Sequence, residues 1–258
     1  MQKAFADKVV EIVKKDPAII GLAAAGSWIT GELDEYSDLD LVLITQEKIG
    51  GDKEKMIAFA RSLGNFISGF TGEHVREPRV LICLYDDPLL HVDIKFLTLD
   101  EFKERVENPI ILFERDQQLS HIYNTTNPAW PMPDYQWIED RIWTWIHYIA
   151  AKAARGEYFE CIDGLGMIRS WVIAPLLQVK NNNQPRGLRK AEMLLKPGDL
   201  RVLEKTLAEN NKRSVLESLE QLISSYRILR KELFADKVQL QVIAEKKSLE
   251  YLEKIKSE

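Results

Sequence analysis

The chain has 258 residues, 45% of them hydrophobic and 29% charged, with a formal net charge of -5; that length buries one large core or two modest ones, and the acidic balance argues against a non-specific nucleic-acid binder, which carries a basic face. No apolar run approaches the roughly 20 residues that span a bilayer, and Met1 to Lys15 is charged and amphipathic rather than a signal peptide. The two cysteines, Cys83 and Cys161, lie far apart in apolar surroundings and read as reduced core residues, so a cytoplasmic protein is expected.

Residues 2 to 15 have helical spacing, with Phe5, Val9, Ile12 and Val13 on one face, and Asp16-Pro17 stops the helix. Ile19 to Ala25 is an apolar run of strand length that ends at Gly26-Ser27, where a short helix over Trp28 to Leu33 begins. After the polar connection Asp34 to Ser37 comes Asp38-Leu39-Asp40-Leu41, opening a second strand that runs to Thr45. Alternation puts Asp38 and Asp40 on one face, about 7 Å apart along the backbone, and Leu39 and Leu41 on the other. Two adjacent carboxylates repel, and partial burial raises that cost; a divalent cation between them makes the pair favourable.

Further on, Asp52 caps a helix ending near Leu63, and Phe66 to Phe70 is a strand. Arg79 to Tyr85 and Leu89 to Thr98 are strands joined by a turn at Asp86-Asp87-Pro88. The second of these alternates, with His91, Asp93 and Lys95 on one face and Val92, Ile94 and Phe96 on the other. Leu99-Asp100 opens a short helix and Pro109 to Glu114 is a short strand. Asn124 to Pro133, rich in Asn and Pro, is the linker. Downstream the pattern is helical: Tyr135 to Ala154, Tyr158 to Val179 with a kink at Pro175, Arg201 to Ala208, Arg213 to Phe234, and Ala244 to Ile255. The expected architecture is an α/β (α+β) domain with a mixed sheet over residues 1–125, followed by an all-helical bundle over 134–258.

The block Gly26-Ser27, then Asp38-Leu39-Asp40, then Asp93 resembles the nucleotidyltransferase superfamily with the polymerase-β-like fold, and the two-domain layout resembles the aminoglycoside and lincosamide nucleotidyltransferases. The resemblance implies transfer of a nucleoside monophosphate from a nucleoside triphosphate, ATP or another, to a hydroxyl of a small molecule such as an aminoglycoside-like antibiotic, with release of pyrophosphate. It implies Asp38, Asp40 and Asp93 as catalytic residues and as ligands of two magnesium ions, with manganese as a substitute. Asp93 is then ligand, general base or both. Gly26 and Ser27 would receive the triphosphate. Ser37 is either a phosphate contact or a turn residue. Modification of a protein or RNA end, and a nucleotide-binding or toxin–antitoxin module without turnover, are the alternatives.

Outside that block the residue types say less. His91 reads as a packing or edge residue and Lys95 as a solvated lysine. Glu157, Glu160, Asp163 and Trp171 lie near one helix face that suits a polyamine sugar, but the spacing reads better as surface charges for some of them and a core position for Trp171. Lys152, Arg169, Arg186, Arg189 and Lys190 are candidate triphosphate contacts, and Trp137, Trp143, Trp145 and Tyr148 read as inter-helix packing.

Overall fold

The computed structural model describes residues 1–234 and 238–257; Ala235, Asp236, Lys237 and Glu258 of the expected helical domain lie outside the described residues. The chain divides into two compact units, Met1–Trp130 and Pro131–Glu258.

The first unit runs α1 (Gln2–Val13), β1 (Ile19–Ala24), α2 (Ser27–Thr30), β2 (Leu39–Thr45), α3 (Lys53–Ser62), β3 (Phe66–Gly72), β4 (Glu77–Tyr85), β5 (Leu90–Leu97), α4 (Leu99–Lys103), β6 (Ile110–Glu114) and α5 (Gln118–Thr125). The six strands form one mixed sheet in the order β3-β4-β5-β2-β1-β6. Only β2 and β5 pair in parallel, in the register Leu39 to Val92 and Asp40 to Asp93; the other neighbours are antiparallel.

One face of the sheet is covered along its length. Leu22, Leu39, Leu41, Leu43, Val92, Ile94 and Phe96 meet Ala6, Val9 and Val13 of α1 and Met56 and Ala60 of α3. Each large side chain fully buried there contributes about 1.5–3 kcal/mol. The opposite face is covered at one end only, where Ala23, Val42, Ile44 and Leu97 pack on Phe102 of α4 and on Leu119 and Ile122 of α5. This is why β1 is buried at every position, whereas β5 alternates between buried and open up to Lys95 and is buried on both faces only at Phe96 and Leu97. Helix α5, with Leu119 and Ile122 on its buried face, is an addition to the expected elements. It approaches β1 through Gly21, where a Cβ would stand 2.6 Å from the Leu119 side chain.

Several expected boundaries change. The helix after Gly26 has four residues and stops at Gly31, which adopts a left-handed conformation (φ 71°). Asp52 caps α3 as expected, accepting from the Lys55 N–H at 3.2 Å.

The second unit comprises α6 (Tyr135–Ala154), α7 (Tyr158–Ile168), a π-helical turn (Arg169–Ile173), α8 (Ala174–Lys180), α9 (Ala191–Leu194), α10 (Pro197–Glu204), α11 (Lys212–Leu233) and α12 (Val242–Ser257). Pro175, which lacks an N–H, is accommodated by the wider turn that precedes α8. The helix expected over Arg201 to Ala208 starts earlier, because Pro197 suits a first-turn position. Wholly buried Glu139 ties α6 to α11 and to the residue that precedes α12: it accepts from Trp143 Nε1 at 3.1 Å, Arg230 Nη1 at 3.2 Å, the Gln241 N–H at 3.0 Å and the Tyr226 hydroxyl. A buried carboxylate is tolerated only when satisfied in this way. No described helix is long and apolar enough to cross a membrane.

An ion network stitches the open face of the sheet. Glu77 of β4 receives Arg79 at 2.7 Å and Lys95 of β5 at 2.8 Å, and Glu101 of α4 receives Lys48 at 2.8 Å and Arg79 at 3.5 Å. Lys95 is therefore paired, which corrects the expectation of a solvated side chain. Arg79 above all, opposed by partial burial and helped by Lys95, holds the Glu77 carboxyl down to about 2. Because this carboxyl lies below its ordinary value of 4.5, its contribution is complete above that value and is lost as the pH falls toward about 2. Glu77→Gln should lower stability near pH 6 by about 1 kcal/mol, given the partial exposure, and the deficit should shrink at pH 3. Urea denaturation at the two pH values measures both; an equal deficit at both would assign the loss to packing.

Candidate active site

The parallel pairing of β2 with β5 places Asp40 directly beside Asp93. Asp38, two residues before Asp40 and immediately before β2, returns to the same face by alternation. One carboxylate oxygen from each of Asp38, Asp40 and Asp93 lies within 4.8 Å of the others. All three side chains are half-buried, at the end of the open face that α4 and α5 do not reach, while the intervening Leu39, Leu41, Val92 and Ile94 point into the buried core.

Burial pushes the Asp93 carboxyl above the usual carboxylate range; His91 opposes this and the nearby Asp38 adds to it. His91 is more than an edge residue: its Nε2 lies 2.8 Å from Asp93 Oδ1, and its side chain is 48% exposed against 27% for Asp93. With a carboxylate as acceptor, Nε2 carries the proton and donates.

Gly26 closes the other side of the cluster. Its backbone (φ 58°, ψ -132°) is one that glycine alone adopts readily. A Cβ there would stand 1.9 Å from Asp40 Oδ2. The turn is also hydrogen-bonded to β2, through the Ala25 N–H and the Asp40 carbonyl at 2.9 Å. The Trp28 and Ile29 N–H groups are taken by the carbonyls of Ala25 and Gly26, and a single helical turn sums little dipole. The turn therefore offers less than a long helix terminus would: Gly26 permits close approach of the backbone and Ser27 contributes a half-buried hydroxyl.

Ser37 lies in the turn before Asp38. Its hydroxyl donates to Asp34 Oδ1 at 2.8 Å and accepts from the Asp34 N–H at 3.0 Å. Its carbonyl accepts from Gln2 Nε2 at 2.6 Å, which explains why a glutamine is buried on α1. Beside the cluster opens a cleft of about 300 Å³, lined by Glu35, Tyr36, Ser37, Asp38, Leu89 and His91 among others. A larger cavity of about 610 Å³, lined by residues such as Asp100, Asp116 and His121, contains none of the three carboxylates.

The cysteines are buried and free. Burial, with a contribution from Asp93, pushes the Cys83 thiol up to about 12, and burial with nearby Glu157 pushes Cys161 up to about 11; neither is a nucleophile at neutral pH.

In the second unit the expected residues are largely engaged with one another. Glu157 pairs with Lys152, and Glu160 accepts from the Tyr148 hydroxyl at 2.6 Å. Arg169 donates to the Thr206 hydroxyl at 2.7 Å and to the Thr206 carbonyl at 2.6 Å. Trp171 is 55% exposed rather than core, because Cys161, Leu165, Ile168 and Val172 set the inward face; it rests edge-on against Trp145 at 6.5 Å. Trp143 is core, whereas Trp137 and Tyr148 are 37% and 45% exposed.

No family model matches the sequence, and no curated protein matches it at a significant level. Among solved structures, the chain is similar to an aminoglycoside 6-adenyltransferase from Bacillus subtilis, at 14% identity and a TM-score of 0.42, with 100% of this chain and 99% of that one covered. It is also similar to a nucleotidyltransferase-like protein from Exiguobacterium sibiricum 255-15, at 14% identity and a TM-score of 0.36, with 96% of this chain and 78% of that one covered. Likenesses this distant assign neither substrate nor chemistry to the chain.

Proposed function

We propose that the protein is a divalent-metal-dependent nucleotidyltransferase that moves a nucleoside monophosphate from a nucleoside triphosphate, ATP in the first instance, to a hydroxyl of a small molecule, with pyrophosphate as the second product. The observation that carries this reading is the convergence of Asp38, Asp40 and Asp93 within 4.8 Å of one another, against a glycine turn that admits no side chain.

The residues fit a metal centre. All three donors are carboxylate oxygens, the ligands that magnesium and manganese prefer. At an effective dielectric of about 20, two unit charges at that separation repel by roughly 3.5 kcal/mol, a cost that a cation reverses. Asp38, Asp40 and Asp93 would hold one or two such ions. Bound there, the metal supplies charge neutralisation for the triphosphate and polarises its oxygens.

The remaining roles belong to the chain. Gly26 lets the phosphates approach the backbone, and the Ser27 hydroxyl donates to a phosphate oxygen. Asp93 accepts the proton of the acceptor hydroxyl, a task to which burial suits it by raising its basicity. The acceptor oxygen bonds to the α-phosphorus as the bond to the pyrophosphate oxygen breaks. The acceptor is a small polyhydroxylated molecule, with aminoglycosides first among those to test, and the two buried free thiols suit a reducing compartment such as the cytoplasm.

Incubation with magnesium, ATP labelled at the α-phosphate and a panel of hydroxylated acceptors, aminoglycosides included, should give label transfer and pyrophosphate release that depend on one acceptor. Label on protein or RNA instead would overturn the small-molecule assignment. Asp38→Asn and Asp40→Asn should each lower kcat by about a thousandfold, near 4 kcal/mol of transition-state stabilisation, with the circular dichroism spectrum unchanged; near-normal turnover in either would remove the metal assignment. Gly26→Ala should lower both thermal stability and turnover, because the Cβ displaces Asp40; a variant indistinguishable from wild type would show that the close approach is dispensable.

A further inference from the structure

We infer that His91 is the positioning residue of this site, holding the Asp93 carboxylate in the orientation that cation binding and proton acceptance require; the inference rests on the proposed metal centre. Asp93 stands beside Asp40 on the neighbouring strand and close to Asp38, and like charges drive such groups apart. The terminal torsion of an aspartate is soft, so without a partner the Asp93 carboxylate would rotate or swing away from the other two. His91 precedes Asp93 by two residues on β5 and shares its face. Its Nε2 donates to Oδ1 at 2.8 Å, which fixes one oxygen and leaves the remaining lone pairs to the cluster. A histidine paired with a carboxylate ligand in this way orients it and tunes its basicity, and loss of such a partner costs about tenfold to a hundredfold in metal affinity or rate.

A purely structural role does not account for this contact. His91 is about half exposed and belongs to none of the buried clusters, so the fold does not depend on it. Its ring lines the cleft that also includes Ser37 and Asp38, and its hydrogen bond is made to the half-buried carboxylate rather than to a distant surface group. Ser27 and the Gly26 turn lie on the opposite flank, against Asp40, so loss of His91 leaves the triphosphate side intact.

The test compares wild type with H91L, H91Q and D93N. Free manganese is counted by electron paramagnetic resonance during titration, and kcat and KM for the triphosphate are measured on whichever acceptor supports turnover. In H91L the manganese affinity should fall about tenfold and kcat about tenfold to a hundredfold, with KM for the triphosphate little changed. H91Q, whose amide N–H reaches the same oxygen, should recover most of both. Manganese affinity in H91L equal to wild type, while D93N loses it, would overturn the role of His91 and leave the metal centre standing. Absence of manganese binding by wild type would overturn the metal centre, and the role of His91 with it. A rise in KM alone in H91L, with no recovery in H91Q, would make His91 a substrate contact and also overturn the inference.

Discussion

One strand pairing fixes the rest of the first unit. β2 and β5 run parallel and are the only neighbours in the sheet to do so. Their register sets Asp40 beside Asp93, and because side chains alternate with a period of two, a slip of either strand by one residue would turn its carboxylate toward the core and its apolar residues outward. The core holds that register. Leu39, Leu41, Leu43, Val92, Ile94 and Phe96 are all buried on one face, so moving any of them outward would cost several side-chain burials at about 1.5–3 kcal/mol each. The acidic cluster is thus held in place by the hydrophobic face behind it, in opposition to its own repulsion.

The cluster also depends on what leaves it uncovered. Helices α4 and α5 seal one end of the second face and stop short of the carboxylates. Along that open strip Glu77 is paired with both Lys95 and Arg79, so it adds no unpaired negative charge beside Asp38, Asp40 and Asp93. The Gly26 turn then sits directly on Asp40. A site of this kind combines an ordered backing, an accessible front and a set of hard oxygen donors, which is the combination that magnesium and phosphate chemistry requires.

Much of this was legible in the sequence because it rests on local pattern. Alternation in residues 38–41 and 91–96 gave the faces, Gly26-Ser27 gave the turn, and the spacing of apolar residues gave α1, α6 and α11 almost to the residue. What escaped was decided by tertiary contact. Helix α5 is only eight residues long and is held by packing of Leu119 on Gly21. Glu139 looks like any surface glutamate on a charged helix, yet it is bonded by Tyr226 of α11 and by Gln241 just before α12. The ion pair of Lys95 joins β5 to β4, 18 residues earlier in the chain, and neither residue alone predicts it. The His91–Asp93 contact was within reach of pattern, since the two residues share a strand face, but alternation gives a face and does not give a hydrogen bond. Trp171 is exposed where its spacing predicts core, because helical spacing does not locate the π-helical turn that holds it.

On the reading proposed above, Asp38, Asp40 and Asp93 form one cation site. Crystals grown with manganese and a non-hydrolysable ATP analogue, measured near the manganese absorption edge, examine it most directly. The expected result is an anomalous peak coordinated by oxygens of all three aspartates, with the phosphates on the Gly26-Ser27 side. A peak elsewhere, or bound nucleotide with the three carboxylates free of metal, would contradict it.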